Sequence, residues 1–126
     1  MKKLYIEGNM QTPEVNLEDS GELSINGIST PENVMEYYNP VFEWISEFVK
    51  TKPTKLQFKM FFDYLNTSST RVLVELIKHI NQKAKSNNVE ASFIWQYEDD
   101  DEDMMEFGEE LKIVTGLPIQ LKEVIL

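Results

Sequence analysis

The feature that most constrains the fold is a change of hydrophobic period near residue 66. In TKLQFKMFFDYL, residues 54–65, apolar side chains from Leu56 to Tyr64 occupy every second position, which is typical of a half-buried strand. Directly afterwards, apolar residues recur every three or four positions as far as Ala84. This spacing predicts an amphipathic helix that begins near Asn66. A strand that leads straight into a helix indicates a βα unit and hence parallel strand pairing.

A second helix is predicted upstream of this strand. The segment STPEN, residues 29–33, carries helix-start signals, with Thr30 as the cap and Pro31 at the first helical position. An apolar stripe follows at helical spacing as far as Val49. Because proline removes a backbone donor inside a helix, Pro40 is expected to kink this helix or restart it at residue 39.

The same alternation of strand and helix continues towards the C-terminus. VEASFIWQY, residues 89–97, reads as a strand, and the acidic run EDDDED at 98–103 opens a third predicted helix that ends at Thr115 and Gly116. PIQLKEVIL, residues 118–126, is the predicted last strand. Trp44 and Trp95 fall at core positions of their helix and strand.

The N-terminal part predicts short antiparallel strands. LYIEG and GELSING alternate, and a weaker segment around Val15 and Leu17 lies between them. We therefore expect a single α/β domain over residues 1–126 with a mixed sheet, antiparallel strands first and right-handed strand–helix crossovers afterwards. Since the two central strands alternate, the helices are expected mainly on one face of the sheet.

Composition excludes several classes of partner. Twelve basic and 22 acidic side chains give a net charge of −10, which repels nucleic acid and anionic membrane surfaces. There is no cysteine, which fits a reducing cytoplasm. The start, MKKLYIEGNMQTPE, is too short in apolar residues for a signal peptide, and no stretch is long enough to span a bilayer. We expect a cytoplasmic protein that binds neither nucleic acid nor membrane.

No motif for catalysis, metal or cofactor binding is found. The chain has no phosphate-binding glycine loop, HExxH or nucleophile elbow, and its single histidine, His79, falls at the flank of an apolar helix face. The acidic run 98–103 lacks the spacing of a calcium loop, so we interpret it as a helix start or an acidic contact surface. The sequence predicts no catalytic residue, no metal and no cofactor.

A run of hydroxyl residues is the strongest candidate site. In YLNTSST, Thr67 to Thr70 stand where a predicted strand ends and a helix begins. A structural interpretation is that Asn66 or Thr67 caps the helix. The alternative is phosphorylation, which would add roughly 1.5 to 2 negative charges beside free backbone amides and support the helix. Such a switch would act through an interface, because a docking partner would bury or repel an unpaired dianion at about 2–5 kcal/mol.

The chain also resembles a known family, the SiaC family of bacterial regulatory phosphoproteins. The resemblance covers nearly the whole chain and rests on TPEV, GELSING, the PEN of STPEN, Trp44, YLNTSS, and the acidic helix start followed by EFGEEL. It implies a fold like the anti-sigma-factor antagonist (STAS) domains, with Thr67 as the phosphoacceptor. It also implies a serine/threonine kinase of the anti-sigma-factor type, a PP2C-type phosphatase, and an unphosphorylated form that activates a diguanylate cyclase, raising cyclic di-GMP and favouring aggregation or biofilm.

The resulting hypothesis is a non-catalytic partner-switching adaptor. Thr67 is the predicted acceptor, with Ser68 and Ser69 as alternatives, and Thr70 adds a further hydroxyl that the family pattern does not explain. Two alternative functions are an anti-sigma-factor antagonist in a sigma-factor circuit and a small-molecule-binding or enzymatic domain. The predicted contact surface consists of Pro31, Glu32, Asn33, Tyr64, Leu65, Asn66, Ser68, Ser69 and Arg71.

Overall fold

A computed structural model describes residues 1–126 as one mixed sheet with three helices. The elements in chain order are β1 (Leu4–Ile6), β2 (Glu14–Leu17), β3 (Glu22–Ser29), α1 (Val34–Lys50), β4 (Lys55–Leu65), α2 (Thr67–Ser86), β5 (Glu90–Glu98), α3 (Glu102–Thr115) and β6 (Gln120–Val124). The strand order in the sheet follows the chain order. None of the three helices combines the length and apolar character needed to cross a bilayer.

The strand directions confirm the predicted architecture. β1, β2 and β3 pair antiparallel, whereas β3, β4, β5 and β6 pair parallel through the three helical crossovers. All three helices share one buried cluster of 26 residues with one face of the sheet, in which Phe58, Met60 and Trp95 are fully buried. The residues at the intervening strand positions, such as Asn26, Lys59 and Gln96, form the other face of the sheet. Trp44 and Trp95 both lie in the core, as predicted.

The start of α1 differs from the prediction. Asn33 is the N-cap, and its Oδ1 accepts a hydrogen bond from the Glu36 amide at 3.1 Å. The prediction of Thr30 as cap and Pro31 as first helical residue is therefore wrong. Thr30 is instead held by the N-terminal segment, because its amide donates to the Gln11 carbonyl at 2.7 Å.

Pro40 does not break α1. The helix is continuous from Val34 to Lys50, so the predicted restart at residue 39 does not occur. Pro40 lacks only the amide that would bond the carbonyl of residue 36, near the helix start. The flanking side chains of Tyr38 and Val41 are both fully buried, and their packing offsets this single loss.

The end of β4 contains a bulge that the alternating pattern did not predict. Gly27 pairs with Phe62, but the next residue, Ile28, pairs with Tyr64, so Asp63 is an extra residue in β4. A bulge of one residue inverts the side-chain parity beyond it. Tyr64 is consequently 55% exposed and Leu65 is buried. The prediction that Tyr64 shares the buried side of the strand is wrong.

Candidate phosphorylation and partner-binding site

The predicted site residues converge at the carboxyl edge of the parallel strands. Ser29, the last residue of β3, pairs with Leu65, the last residue of β4, and the Asn66 amide donates to the Ser29 carbonyl at 3.1 Å. The chain then enters α1 from β3 and α2 from β4. Residues 31–33 and 64–71 therefore lie at one edge of the sheet, which is where sites collect in open α/β folds.

Asn66 is the residue that caps α2. Its side-chain Oδ1 accepts hydrogen bonds from the Ser69 amide at 2.9 Å and from Ser68 Oγ at 3.2 Å. Of the two predicted caps, Asn66 rather than Thr67 performs this role. The hydroxyl of Thr67 is thereby left out of the capping contacts.

The four consecutive hydroxyls have four different environments. Thr67 is exposed and its hydroxyl makes no hydrogen bond within the protein, whereas exposed Ser68 donates to Asn66. Ser69 is fully buried. Thr70 is half-buried and donates to the Asn66 carbonyl at 3.0 Å. Thr67 is therefore the one hydroxyl of the four that an enzyme could reach without breaking an existing hydrogen bond.

Ser69 belongs to a buried network of hydroxyls. Ser29 Oγ donates to Ser69 Oγ at 2.8 Å and lies 2.7 Å from the Tyr38 hydroxyl, and all three side chains are fully buried. Burial raises the pKa of Tyr38 well above its ordinary value, so its phenol stays neutral and can donate. The sequence contained a sign that Ser69 is buried. Val72 and Leu73 follow it by three and four residues, so Ser69 lies on the apolar stripe of α2.

Burial corrects part of the predicted contact surface. Ser69 is inaccessible, so its place both in the contact surface and among the alternative acceptors is wrong. Pro31 and Leu65 are also buried and can form only the floor of a surface depression. The remaining members, except half-buried Asn66, are exposed: Glu32, Asn33, Tyr64, Ser68 and Arg71.

A groove next to Thr67 was not predicted. It lies between the bulged end of β4 and the start of α3 and has a volume of about 340 Å³. We call it the α3 groove. Its lining residues are Asp63, Tyr64, Leu65, Asp101, Asp103, Met104 and Phe107. Its position depends on the bulge and on the β5–α3 turn, neither of which hydrophobic periodicity specifies.

The α3 side of the groove is fixed by specific contacts. Asp101 caps α3 by accepting the Met104 amide at 3.1 Å, and Trp95 Nε1 donates to the Met104 carbonyl at 2.8 Å. The ring of Phe107 stacks on Trp95 with centroids 5.1 Å apart. The acidic run thus forms a helix start, as predicted.

His79 lies away from this edge. Its Nε2 is 3.0 Å from Ser46 Oγ and 3.3 Å from the Phe42 carbonyl, between α1 and α2. Burial lowers the pKa of His79 below its ordinary value of 6.5, despite the opposing contact with the Phe42 carbonyl. Twelve residues of helix separate it from Thr67, a distance of roughly 18 Å at 1.5 Å per residue. His79 is a structural residue at the boundary of the core.

Comparison with known proteins supports the sequence resemblance. The chain is 28% identical over 123 residues to an uncharacterised protein of Pseudomonas aeruginosa strain UCBPP-PA14, covering 97% of both chains. Its structure matches SiaC of Pseudomonas aeruginosa with a TM-score of 0.85 and 27% identity, covering 98% of this chain and 100% of that one. It also matches a chain of the crystal structure of the diguanylate cyclase SiaD in complex with its activator SiaC from the same organism, with a TM-score of 0.87, 26% identity, and coverage of 96% and 99%.

The family model gives the assignment. The model described as SiaC family regulatory phosphoprotein matches residues 6–124, from the end of β1 to the end of β6. The edge with the exposed threonine and the α3 groove both fall inside this range. The chain therefore belongs to the SiaC family of regulatory phosphoproteins.

Proposed function

We propose that this chain is a non-catalytic signalling adaptor that binds and activates a diguanylate cyclase, and that phosphorylation of Thr67 switches this binding off. The observation that carries the proposal is the free, exposed hydroxyl of Thr67 at the first position of α2. The family assignment and the likeness to SiaC, named as the activator of SiaD, support a cyclase as the effector. The output would be a higher level of cyclic di-GMP, which favours aggregation or biofilm.

Phosphorylation at this position would leave the fold intact. Asn66 caps α2, so modification of Thr67 breaks no capping bond. The phosphate would stand beside unpaired amides of the first helical turn, where a negative charge stabilises a helix by about 0.3–1 kcal/mol. The phosphorylated chain would present the same surface with one added dianion.

The added dianion would act on the interface. Carboxylates already crowd this edge at Asp63, Asp101 and Asp103. A partner that covers Thr67 would have to strip water from the phosphate and from any contact that the phosphate makes with exposed Arg71, at a cost of about 2–5 kcal/mol. At 1.4 kcal/mol per decade, this weakens affinity from about 30-fold to several thousandfold.

The switch requires two further partners. We propose a serine/threonine kinase of the anti-sigma-factor type and a PP2C-type phosphatase as the enzymes that add and remove the phosphate. Both must reach the Thr67 hydroxyl, which is exposed on the rim of the sheet. Since the kinase consumes ATP and the cyclase consumes GTP, we place the circuit in the cytoplasm.

Phosphopeptide mapping tests the modification. Trypsin should release MFFDYLNTSSTR, residues 60–71, from protein isolated from its native cells in several growth states. We expect phosphate on Thr67 in some growth states and its loss in others. A peptide that stays unmodified in every state, or carries phosphate only on Ser68 or Thr70, would overturn the assignment of Thr67.

A binding experiment tests the effect on the effector. Thr67→Asp and Thr67→Val are compared with wild type for affinity towards the diguanylate cyclase of the same organism, with thermal unfolding measured in parallel. We expect weaker binding for Thr67→Asp only, and nearly unchanged stability. Ser20→Asp is the matched control, because Ser20 is exposed at the opposite edge, before β3. Equal losses of affinity for Thr67→Asp and Ser20→Asp would refute a local switch. Stable co-purification with an anti-sigma kinase in place of a cyclase would favour an anti-sigma-factor antagonist.

A further inference from the structure

We propose that the α3 groove is the docking site for a segment of the effector that carries a large apolar side chain flanked by arginine or lysine. The proposal rests on the proposed function and adds the chemistry by which the partner is recognised. It concerns the groove rather than the phosphoacceptor, so the two can be tested separately.

The shape of the groove comes from the bulge in β4. Without the extra residue Asp63, Tyr64 would point to the buried side of the sheet and Leu65 away from it. The bulge instead turns Tyr64 outwards, 55% exposed, and leaves Leu65 as part of the floor. Bulges are frequent beside functional sites because they re-aim side chains in this way.

The floor of the groove is apolar. Four of its seven lining residues are hydrophobic, whereas the depressions near Gly21 and near Gly27 each have one hydrophobic residue among eight. Met104 and Phe107 are half-buried and supply its α3 wall. Aromatic and methionine side chains at a partly exposed groove are the usual anchoring surface of a protein interface.

The groove is also preorganised. The hydrogen bond from Trp95 to Met104 and the stacked ring of Phe107 hold the start of α3 on the sheet. A Cβ at position 108 would lie 2.5 Å from Trp95 Cδ1, so glycine at this position allows the helix to approach so closely. A partner that binds a fixed wall does not have to order it first, which favours affinity.

The charge of the rim selects a cationic occupant. Asp63, Asp101 and Asp103 line the groove, and none of the three salt bridges in the protein involves them. The opposite edge of the sheet is mixed in charge, because Glu22 and Glu90 stand there beside five lysines: Lys50, Lys52, Lys55, Lys83 and Lys85. This difference would steer a basic segment towards the α3 groove rather than the opposite edge.

The groove adjoins the proposed switch. Leu65 forms part of its floor, and Thr67 follows only two residues later at the start of α2. A segment seated in the groove has its cations paired with Asp63 and Asp103, so they are not available to a phosphate on Thr67. The groove therefore supplies binding energy, and the neighbouring threonine controls it.

Paired variants test the groove. Asp63→Asn with Asp103→Asn removes two rim charges without altering the cap Asp101, and Glu106→Gln with Glu110→Gln makes the same charge change on the exposed surface of α3. Tyr64→Ala is matched by Tyr5→Ala, since the two tyrosines are 55% and 51% exposed. Affinity of the unphosphorylated chain for the cyclase is measured by calorimetry at two salt concentrations, together with thermal unfolding of each variant.

We expect both groove variants to weaken cyclase binding by about tenfold or more, and the controls to stay within about twofold. The double aspartate variant should also show a smaller dependence of affinity on salt. If wild type binds the cyclase and the groove variants bind equally well, the groove proposal is overturned while the proposed function stands.

If wild type does not bind the cyclase, the proposed function is contradicted. A second titration then tests the groove by itself. The probe is an amphipathic helical peptide of leucine and arginine, compared with its glutamate counterpart, and followed by NMR of the isotope-labelled chain. Shifts concentrated at Met104, Phe107 and Tyr64 with the arginine peptide alone would support the groove. Shifts scattered over the acidic helix surfaces would overturn it.

Discussion

Ser29 Oγ, at the end of β3, donates a buried hydrogen bond of 2.8 Å to Ser69 Oγ in the first turn of α2. The Tyr38 hydroxyl of α1 lies 2.7 Å from the same Ser29 oxygen, so one buried polar network joins a strand and two helices. This network fixes the start of α2, where Thr67 stands on the surface two residues before Ser69. The start of α2, where the proposed phosphoacceptor stands, is therefore held by hydroxyl groups that are not themselves accessible.

Removal of the Ser69 hydroxyl should destabilise the fold. Ser69→Ala leaves the Ser29 donor without its partner in a buried site, which costs about 1–3 kcal/mol of the free energy of unfolding. We expect the melting temperature to fall by roughly 3–6 °C per kcal/mol for a chain of this size. Ser68→Ala, at the exposed neighbour, should change stability by less than about 0.5 kcal/mol. Denaturant unfolding of the two variants checks this, and equal stabilities would exclude a structural role for Ser69.

Gly108→Ala should destabilise the chain although it lies inside a helix. Alanine normally favours a helix over glycine by about 1 kcal/mol. Here its Cβ would lie 2.5 Å from Trp95 Cδ1 and 2.7 Å from Leu121 Cδ2, so either these side chains or α3 itself has to shift. We expect a net loss of about 1–3 kcal/mol in denaturant unfolding. Glu109→Ala, exposed on the same helix, is the control, and a Gly108→Ala variant more stable than wild type would show that α3 is not held so closely.

Stability should depend on pH through His79. Burial lowers the pKa of His79 in the folded chain below 6.5, so the unfolded chain binds more protons in this range. The contribution of the neutral imidazole is therefore fully present above about pH 6.5 and is lost as the pH falls through the lower folded pKa. We expect the melting temperature to fall on acidification from pH 7.5 to 5.5.

The variant His79→Asn tests whether this residue causes the fall. Asparagine keeps a polar group near Ser46 Oγ and the Phe42 carbonyl but cannot titrate. The variant should be less stable at pH 7.5, because part of the packing against Phe42 is lost, and should show a shallower fall on acidification. An unchanged slope would assign the pH dependence to other groups.

The fold follows from local periodicity, whereas the details of the site do not. Alternation and helical spacing predict β4, α2, β5 and α3 because buried faces repeat with the period of each element. The bulge at Asp63 shifts that period by one residue because of the sheet geometry. Alternation alone therefore predicts Tyr64 on the buried side of β4, whereas its side chain is exposed. The prediction of the α1 cap at Thr30 fails because Thr30 and Asn33 are both good caps. The contact of Thr30 with Gln11, nineteen residues earlier, decides between them.

The position of the candidate site in the fold could be predicted in part. A hydroxyl run after a strand predicts exposed acceptors at a helix start, and the family resemblance selects Thr67 among them. The sequence does not show that Ser69 pairs with Ser29, forty residues earlier, because that contact depends on the parallel pairing of β3 and β4. The α3 groove was likewise hidden, since its two walls come from segments that are distant in sequence.

Phosphothreonine at position 67 should have a lowered second pKa. The free amides at the start of α2 and the guanidinium of Arg71, one turn later on the same helix face, both favour the dianion. Asp63, Asp101 and Asp103 oppose this effect, but they line a groove that is open to solvent, which screens them. The second pKa of this phosphate should therefore lie below that of the phosphorylated peptide MFFDYLNTSSTR.

Phosphorus NMR of the phosphorylated chain between pH 4.5 and 8 measures this pKa. Arg71→Gln should raise it towards the peptide value, whereas Lys78→Gln, two further turns along α2, should leave it unchanged. Because the folded pKa is the lower one, phosphorylation should stabilise the chain above the pKa of the free peptide, and this gain should disappear on acidification. A pKa equal to or above that of the peptide would mean that the carboxylates of the α3 groove dominate the field at Thr67, and that Arg71 does not pair with the phosphate.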